Sequence, residues 1–203
     1  MFLQKTFFSR NTVTVAKELL GKVLVVNSNG KINKGRISEV EAYGGFEDDA
    51  CHGFKGKTER NSILFKSAGY IYVYFTYGMH YLLNIITEQN NYPSGILIRG
   101  VIPISDLNTI SLNRFNKKYS NLTQTQIKNL TNGPSKVCKA FGIDKRFNNT
   151  KLITNKPITN IQNWIAVEKG TGIKNKKFLK SKRVGVEYAE KAKEWDWNFK
   201  LID

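Results

Sequence analysis

The sequence predicts an α+β fold in which a mixed sheet is flanked by helices. Three observations predict it. Segments with the period-two alternation of β-strands dominate the first half of the chain, and short helical patterns are scattered around them. With 203 residues, 40% of them hydrophobic, the chain can bury the core of one domain, which we place over residues 1–203.

The N-terminal region is predicted to form a helix and then a strand. The helix begins at Asn11 or Thr12 and ends at Leu20, because apolar residues recur at helical spacing and a glycine follows as a stop signal. A strand over Lys22–Asn27 comes next. The Asn29-Gly30 pair after it is a typical tight turn.

A second strand, predicted from Gly35 to Tyr43, carries acidic side chains. Alternation places Val40 and Ala42 on one face. The opposite face takes Ile37, Glu39, Glu41 and Tyr43. Two carboxylates and a phenol are therefore expected on one face of this strand.

The clearest predicted hairpin spans residues 69–86. Its first arm, Tyr70–Thr76, is strongly β-prone, and Tyr77-Gly78 supplies a tight turn before the chain returns. Alternation along the first arm gives a tyrosine face and an apolar face: Tyr70, Tyr72 and Tyr74 on one side, and Ile71, Val73 and Phe75 on the other.

Fewer elements are predicted in the second half. A strand over Gly95–Ile102 is apolar except for Arg99. A helix follows Gly133-Pro134 and ends near Gly142. Its inward residues are Val137, Cys138 and Phe141. The Asn- and Lys-rich residues 105–131 resemble an insertion that is helical in part, and residues 187–194 are expected to form a short amphipathic helix.

The net charge of +16 points to a polyanionic partner, above all nucleic acid. Residues 103–203 contribute 20 basic and 8 acidic side chains, so most of the surplus lies there. The densest stretch, Lys169–Arg183, holds seven basic residues and no acid. It is either a solvated loop or a surface that contacts backbone phosphates.

The cellular compartment is predicted from two absences. The two cysteines form neither a disulfide framework nor a CxxC zinc pattern. The N-terminus lacks the apolar core of a secretion signal, and no apolar run is long enough for a membrane span. We expect a cytoplasmic protein without a membrane partner.

An acidic cluster stands out in this basic chain and leaves three interpretations open. Four acids and a histidine, in the set Glu39, Glu41, Asp48, Asp49 and His52, could form a hard-metal nuclease site. Alternatively, one strand carboxylate is a general base, for which Glu41 is favoured. The third interpretation, surface acids in a turn, is favoured for Glu47, Asp48 and Asp49.

The tyrosines and Arg99 also have two interpretations each. An alternating aromatic stripe is common in sheet packing, but beside basic residues it also suits stacking of unpaired bases. Tyr77, at a hairpin tip, has little sheet to pack on, and a DNA base step is one partner for it. Arg99 inside an apolar strand needs an acid, and pairing with Glu41 would keep that carboxylate ionised.

Five blocks in this order resemble the alkyladenine (3-methyladenine) DNA glycosylase family of vertebrate type. They are Glu39–Tyr43 with Glu47–His52 and Arg60-Asn61, Gly69–Met79 with Asn84-Ile85, Ile96–Pro103, Gly133–Lys136, and Arg183–Val186. The resemblance spans roughly residues 19–199. It implies a curved, mostly antiparallel sheet whose hairpin, residues 70–86, enters the minor groove of DNA.

The resemblance also implies roles for single residues. Glu41 deprotonates the attacking water, which Arg99 and the backbone carbonyl of Val184 help to hold. The flipped base stacks among Tyr43, His52 and Tyr74, Asn84 excludes guanine, and Tyr77 fills the gap left in the duplex. Further DNA contacts fall on Arg60, Met79, Tyr81, Lys136, Lys182 and Arg183.

The implied activity is base-excision repair by a monofunctional glycosylase that hydrolyses the N-glycosidic bond of alkylated purines. Its substrates are 3-methyladenine and 7-methylguanine, with hypoxanthine and ethenoadenine as further candidates. No cofactor or metal is implied, the partner is double-stranded DNA, and the chain is expected to be a monomer, nucleoid-associated in a bacterium. Many members have Trp-Arg-Phe where this chain has Trp197-Asn198-Phe199. The alternatives are the metal-dependent nuclease and a non-enzymatic module for single-stranded nucleic acid.

Overall fold

The computed structural model describes residues 1–155, 161–170 and 177–202 and confirms the α+β class. Its strands are β1 (Val23–Ser28), β2 (Lys31–Gly44), β3 (Ile71–Thr76), β4 (His80–Ile86), β5 (Ser94–Pro103), β6 (Trp164–Glu168), β7 (Phe178–Ser181) and β8 (Asn198–Leu201). Its α-helices are α1 (Lys5–Phe8), α2 (Thr12–Leu19), α3 (Leu107–Phe115), α4 (Gln124–Lys128) and α5 (Pro134–Phe141).

The strands form one sheet in the order β3-β4-β5-β2-β1-β6, and β8 joins β2 to β7. All of these pairings are antiparallel. The long β2 is central: its first half pairs with β1, and its second half lies between β5 and β8. Side chains of the second half of β2 can therefore meet partners from both neighbouring strands.

A β-bulge in β2 corrects one predicted side-chain assignment. The register against β5 shifts on both sides of Glu39. A bulge inserts an extra residue and reverses the phase of the alternation. Ile37 consequently packs in the main apolar core with Val40 and Ala42, whereas the sequence placed it beside Glu39 and Glu41. Glu41 and Tyr43, which follow the bulge, share one face as predicted, whereas Ile37, which precedes it, lies on the core side.

The β3–β4 hairpin confirms the predicted turn and the predicted division of faces. Three residues, Tyr77–Met79, connect the paired Thr76 and His80, and the amide of Met79 donates to the carbonyl of Thr76 at 3.2 Å. Tyr77 and Gly78 have φ values of +50° and +66°, a left-handed conformation that suits a tight hairpin turn and favours glycine. Ile71 and Val73 belong to the main core, and Tyr72 belongs to a second apolar cluster on the other face.

The helices cover the apolar face of the sheet. Asn11 accepts a hydrogen bond from the backbone amide of Thr14 and thereby caps α2, which begins at Thr12, one of the two predicted starts. In α5 the residues Val137, Cys138 and Phe141 are buried. The insertion-like stretch is helical in part, since α3 and α4 lie within it.

The helix predicted over residues 187–194 is wrong. Only Ala192–Glu194 forms a short 3-10 turn. The carboxylate of Asp49 accepts hydrogen bonds from the backbone amides of Glu190, Lys191 and Ala192 at 2.7–2.9 Å. These contacts take the amides away from the carbonyls of a preceding helical turn and fold this segment onto the loop after β2.

Two predictions depend on which part of the chain is described. Residues 171–176 of the basic stretch 169–183 are not among the residues that the structure describes. Its interpretation as a phosphate-binding surface stays a prediction. Among the helices of the described residues, none combines the length and the apolar character needed to cross a membrane.

Candidate active site

The carboxylate of Glu41 is the centre of the site. It lies on the second half of β2 and is completely buried. Its Oε1 accepts hydrogen bonds from the backbone amide of Val184 at 2.8 Å and from Nδ2 of Asn198 at 3.1 Å. Its Oε2 accepts one from the hydroxyl of Tyr43 at 2.8 Å. A buried charge needs such partners, and here three segments of the chain provide them.

Arg99 pairs with both carboxylates of β2. Its Nε lies 3.0 Å from Oε1 of Glu39 and 3.3 Å from Oε1 of Glu41, and its Nη1 lies 3.4 Å from Oε2 of Glu41. The predicted partnership of Arg99 with Glu41 is present in the structure. Because β2 and β5 are neighbouring strands of the sheet, the side chain of Arg99 reaches both acids directly from its own strand.

Glu39 is the second carboxylate of this network. Burial alone would raise the pKa of Glu39. Hydrogen bonds from Asn198 and Arg99, with the positive charges of Arg99 and Lys200, outweigh burial and hold that pKa below its usual range. Nδ2 of Asn198 lies 3.2 Å from Glu39, so one amide joins the two acids.

A cavity of about 370 Å³ opens directly in front of this network. Its lining includes six aromatic side chains: Tyr43, His52, Tyr72, Tyr74, Tyr77 and Tyr188. Arg99 and Val184 also line it. Glu41 lies behind this wall and touches the lining through Tyr43, Arg99 and Val184. The volume and the few convergent polar groups are those of a small-molecule site.

The aromatic rings of the cavity contact one another. His52 meets Tyr74 edge-on, with ring centroids 4.8 Å apart, and Tyr72 stacks on Tyr74 at 5.4 Å. Burial, and secondarily the positive charge of Arg60, lower the pKa of His52. Burial also raises the pKa of Tyr72 to about 12. The lowered pKa of His52 disfavours a positive charge on this part of the wall.

Asn84 lies deep in the same cavity. It is 6% exposed and sits on β4, opposite Tyr72 of β3. Its Nδ2 donates to the backbone carbonyl of Tyr72 at 3.3 Å, which fixes the amide against the hairpin. The structure thus brings Asn84 together with Tyr43, His52 and Tyr74, the residues to which the sequence assigned base binding.

Arg183 is placed differently from its prediction. It was expected on DNA, but its side chain is fully buried in an ion pair with Asp48, at 2.7 Å and 2.8 Å. Its guanidinium also donates to the carbonyls of Ala42 and Ala192 and lies 4.6 Å from the ring centre of Tyr43. A side chain so enclosed does not reach a phosphate, so this prediction is wrong. Asp48 is likewise not the surface acid that the sequence suggested.

The other predicted DNA contacts lie around the mouth and farther out. Tyr77 and Met79 at the hairpin tip are 86% and 70% exposed, and Tyr81 packs on Phe75. Arg60 donates to the carbonyl of Phe75 at 3.3 Å. Two lysines are engaged with protein groups: Lys136 donates to side-chain oxygens of Asn129 and Asn132, and the exposed Lys182 pairs with Glu194.

The geometry contradicts the nuclease alternative. Its members are dispersed over separate networks: Glu39 and Glu41 at Arg99, Asp48 at Arg183, Asp49 at backbone amides, and His52 in the cavity. Within residues 1–155, 161–170 and 177–202, no group of three or more His, Cys, Asp or Glu side chains is placed to hold a metal ion. Of the five residues, Glu39 and Glu41 share one network, and Asp48, Asp49 and His52 each have other partners.

Three residues of the site were missed as site residues in the sequence. Tyr72 was assigned only to the tyrosine face, whereas it lines the cavity. Asn198 appeared as a departure from a family pattern, whereas it donates to both Glu39 and Glu41. Glu39 was named only in the metal cluster. A polar residue between Trp197 and the buried Phe199, in a strand, was the available signal for Asn198.

Comparisons with known proteins show the family of this chain. The family model described as Methylpurine-DNA glycosylase (MPG) matches residues 6–203. Three similar proteins carry the name "Putative 3-methyladenine DNA glycosylase". That of Clostridium perfringens (strain 13 / Type A) is 43% identical over 100% of this chain and 97% of its own length. That of Clostridium acetobutylicum is 44% identical over 98% and 93%, and that of Desulfitobacterium hafniense is 40% identical over 99% and 95%. The chain therefore belongs to the methylpurine-DNA glycosylase family.

Proposed function

We propose that this DNA glycosylase excises alkylated purines from double-stranded DNA by hydrolysis, with Glu41 as the general base. One observation carries the proposal: a completely buried carboxylate stands behind an aromatic cavity and touches it through three lining residues. The substrates are 3-methyladenine and 7-methylguanine. Hypoxanthine and ethenoadenine are further candidates, which require protonation or hydrogen bonding of the leaving base.

The substrate nucleotide has to leave the duplex before the enzyme reaches it. The sugar C1′ is inaccessible within stacked DNA, and extruding a nucleotide costs a few kcal/mol. Stacking in the cavity offsets about 1–3 kcal/mol of this cost per base. Tyr77, which is exposed at the hairpin tip, replaces part of the stacking that the duplex loses when the hairpin enters the minor groove.

The aromatic wall favours cationic bases. Alkylated purines such as 3-methyladenine carry positive charge and stack well on electron-rich rings. Tyr43, Tyr74 and His52 provide such rings, and the lowered pKa of His52 disfavours a positive charge on that ring. The amide of Asn84, fixed on the cavity wall, would oppose the exocyclic amino group of guanine. 7-Methylguanine has the same amino group, but its cationic base is a far better leaving group than unmodified guanine.

The chemical step uses a water molecule between the sugar C1′ of the flipped nucleotide and Glu41. The water oxygen bonds to C1′, the C1′–N bond breaks with its electron pair leaving on the base, and Glu41 takes the proton of the water. Oε1 of Glu41 already accepts from Val184 and Asn198, so Oε2 is the oxygen available to take the proton. In the free protein Oε2 binds the hydroxyl of Tyr43, which the water displaces or shares. Arg99 stabilises the carboxylate in its charged form and, with the backbone carbonyl of Val184, orients the water.

The reaction ends at the abasic site. The cationic base is a good leaving group and needs little acid assistance. The described residues that line the cavity include no lysine, and a lyase step needs an amine to attack the sugar. We therefore propose hydrolysis alone, by a monomer that uses no cofactor. Lys136, Lys182, Arg60, Met79 and Tyr81 are proposed as DNA contacts.

The test uses methylated duplex DNA in excess EDTA and assays free 3-methyladenine and 7-methylguanine. Wild type is expected to release both bases, and Glu41→Gln to release neither, because the amide cannot accept the proton. Glu59→Gln, which changes an exposed acid, is the matched control and should match wild type. A binding module would retain DNA without releasing a base, and a nuclease would lose its activity in EDTA.

A further inference from the structure

Asn198 stands between two like charges. β8 pairs with β2 so that Asn198 is opposite Glu41 and Lys200 is opposite Glu39. Nδ2 of Asn198 lies 3.2 Å from Oε1 of Glu39 and 3.1 Å from Oε1 of Glu41. The side chain is 4% exposed. An amide nitrogen has two N–H groups, so each carboxylate receives one of them.

The arginine on the other side repeats this bridging. Nε of Arg99, on β5, lies 3.0 Å from Oε1 of Glu39 and 3.3 Å from Oε1 of Glu41. The two carboxylates are thus held between one cationic donor and one neutral donor. Like charges this close repel in a site with little water, and without both donors they would separate or bind a proton.

The donors are distributed unevenly over the two oxygens of Glu41. Oε1 has three neighbours: the amide of Val184, Asn198 and Arg99. Oε2 has one short bond, from the Tyr43 hydroxyl, and a longer contact of 3.4 Å with Arg99. A carboxylate oxygen has about two lone pairs to offer. Oε1 is therefore saturated, and a lone pair of Oε2 remains for a proton.

We propose that Asn198 is a positioning residue for the general base: it holds Glu39 and Glu41 side by side and leaves Oε2 of Glu41 as the proton acceptor. This inference rests on the proposed function. Asn198 does not line the cavity, so it acts on the reaction through Glu41 and makes no contact with the base. Without the two N–H donors of Asn198, the carboxylate of Glu41 can rotate out of its position. The pair of Glu39 and Glu41 can then take up a proton.

The charges around the pair determine the sign of the pH effect. These charges are Arg99 from β5, Lys200 from β8 and Arg183 from the segment before β8, and the phenols of Tyr43 and Tyr74, whose pKa values burial raises, add no charge. Asn198→Asp adds a third negative charge, which makes protonation of the carboxylate pair easier. Because the base works only when deprotonated, the acid limb of the pH–rate profile moves to higher pH.

The experiment measures single-turnover base release from a 3-methyladenine duplex between pH 5 and 9, with duplex affinity measured in parallel. Asn198→Asp should release base about 100-fold more slowly at pH 7 and Asn198→Leu about 10-fold, both with affinity within about threefold of wild type. Both acid limbs should move to higher pH, the Asp variant further. Leu brings no charge, so it tests the donors even if the Asp variant does not fold.

Asn27→Asp is the matched control, since Asn27 is also a buried strand asparagine (8% exposed, against 4% for Asn198) and does not line the cavity. Release within twofold of wild type in the Asn198 variants, or slower release with an unmoved acid limb, would overturn the inference while Glu41→Gln remains inactive. If wild type itself releases no base, the proposed function fails, and the role of Asn198 fails with it.

Discussion

Arg99 and Arg183 are both arginines paired with carboxylates in the interior, but they differ in what surrounds the pair. Arg183 meets Asp48 with both side chains at 0% exposure, and its Nη1 and Nη2 also donate to backbone carbonyls. Arg99 is 13% exposed, lines the cavity and shares its donors between two acids. The first pair joins two segments of the fold, and the second holds a carboxylate next to a cavity.

This difference indicates that the surroundings of a buried ion pair determine whether it mainly stabilises the fold or also takes part in the reaction. Arg183 supports the site from behind, because it stacks against Tyr43 and precedes Val184. Arg99 is part of the site, because it meets the cavity and the proposed base together. Substitutions should therefore separate the two: one should change stability first, the other activity first.

The largest effect is expected from Asp48→Ala. It leaves the buried guanidinium of Arg183 without its counter-ion, and breaking a buried pair in this way costs about 3–5 kcal/mol. Urea denaturation should show this loss in the free energy of unfolding. The double variant Asp48→Ala/Arg183→Ala should lose less than the sum of the two single variants, and strict additivity would contradict the pairing.

The second largest effect is expected from Arg99→Gln, and it should be a loss of activity more than a loss of stability. Glu41 keeps its bonds from Val184, Asn198 and Tyr43, so the fold should lose less stability than with Asp48→Ala. Losing one charge-stabilising donor of an active site slows the chemical step by about 100-fold. Single-turnover base release and urea denaturation of the same preparation measure both quantities. If Arg99→Gln lowers the free energy of unfolding but each folded molecule keeps its full activity, the proposed contrast between Arg99 and Arg183 is wrong.

Glu39→Gln should sharpen the account of the Arg99 network through pH. The pKa of Glu39 is lower in the folded protein than in the unfolded chain, so the carboxylate stabilises the fold above its unfolded pKa. This stabilisation is lost as the pH falls through the lowered value. Between pH 6 and pH 3 the wild-type free energy of unfolding should therefore fall more steeply than that of Glu39→Gln. Parallel slopes would show that Glu39 is not held in its charged form.

The smallest effect is expected from Lys182→Ala, next to Arg183 in sequence but exposed. Its ion pair with Glu194 is at the surface, where such pairs contribute little to stability. The melting temperature should not change measurably. If Lys182 contacts a phosphate, its loss should weaken duplex binding equally for all sequences and reduce the salt dependence by about one counterion. A large drop in melting temperature would contradict the contrast with Arg183.

The strands and the cavity residues were the most predictable features, because both follow from alternation and from a motif that spans the chain. Glu41, Tyr43 and Tyr74 could be placed in this way. The face occupied by Ile37 could not be predicted, because the bulge reverses the alternation of side chains along β2 and no residue type in the sequence indicates it. Asp48 and Arg183 are 135 residues apart, and only the folded chain shows that they meet. The failed helix at 187–194 has the same cause, a distant carboxylate at Asp49.

The most direct test of the central claim separates binding from chemistry in Glu41→Gln. Duplex affinity and single-turnover base release would be measured with one lesion-containing DNA, in EDTA, alongside wild type. If Glu41 is the general base, the variant binds the lesion duplex as tightly as wild type and releases no base above the background rate. If the variant still releases base at a tenth of the wild-type rate or faster, Glu41 is not the general base.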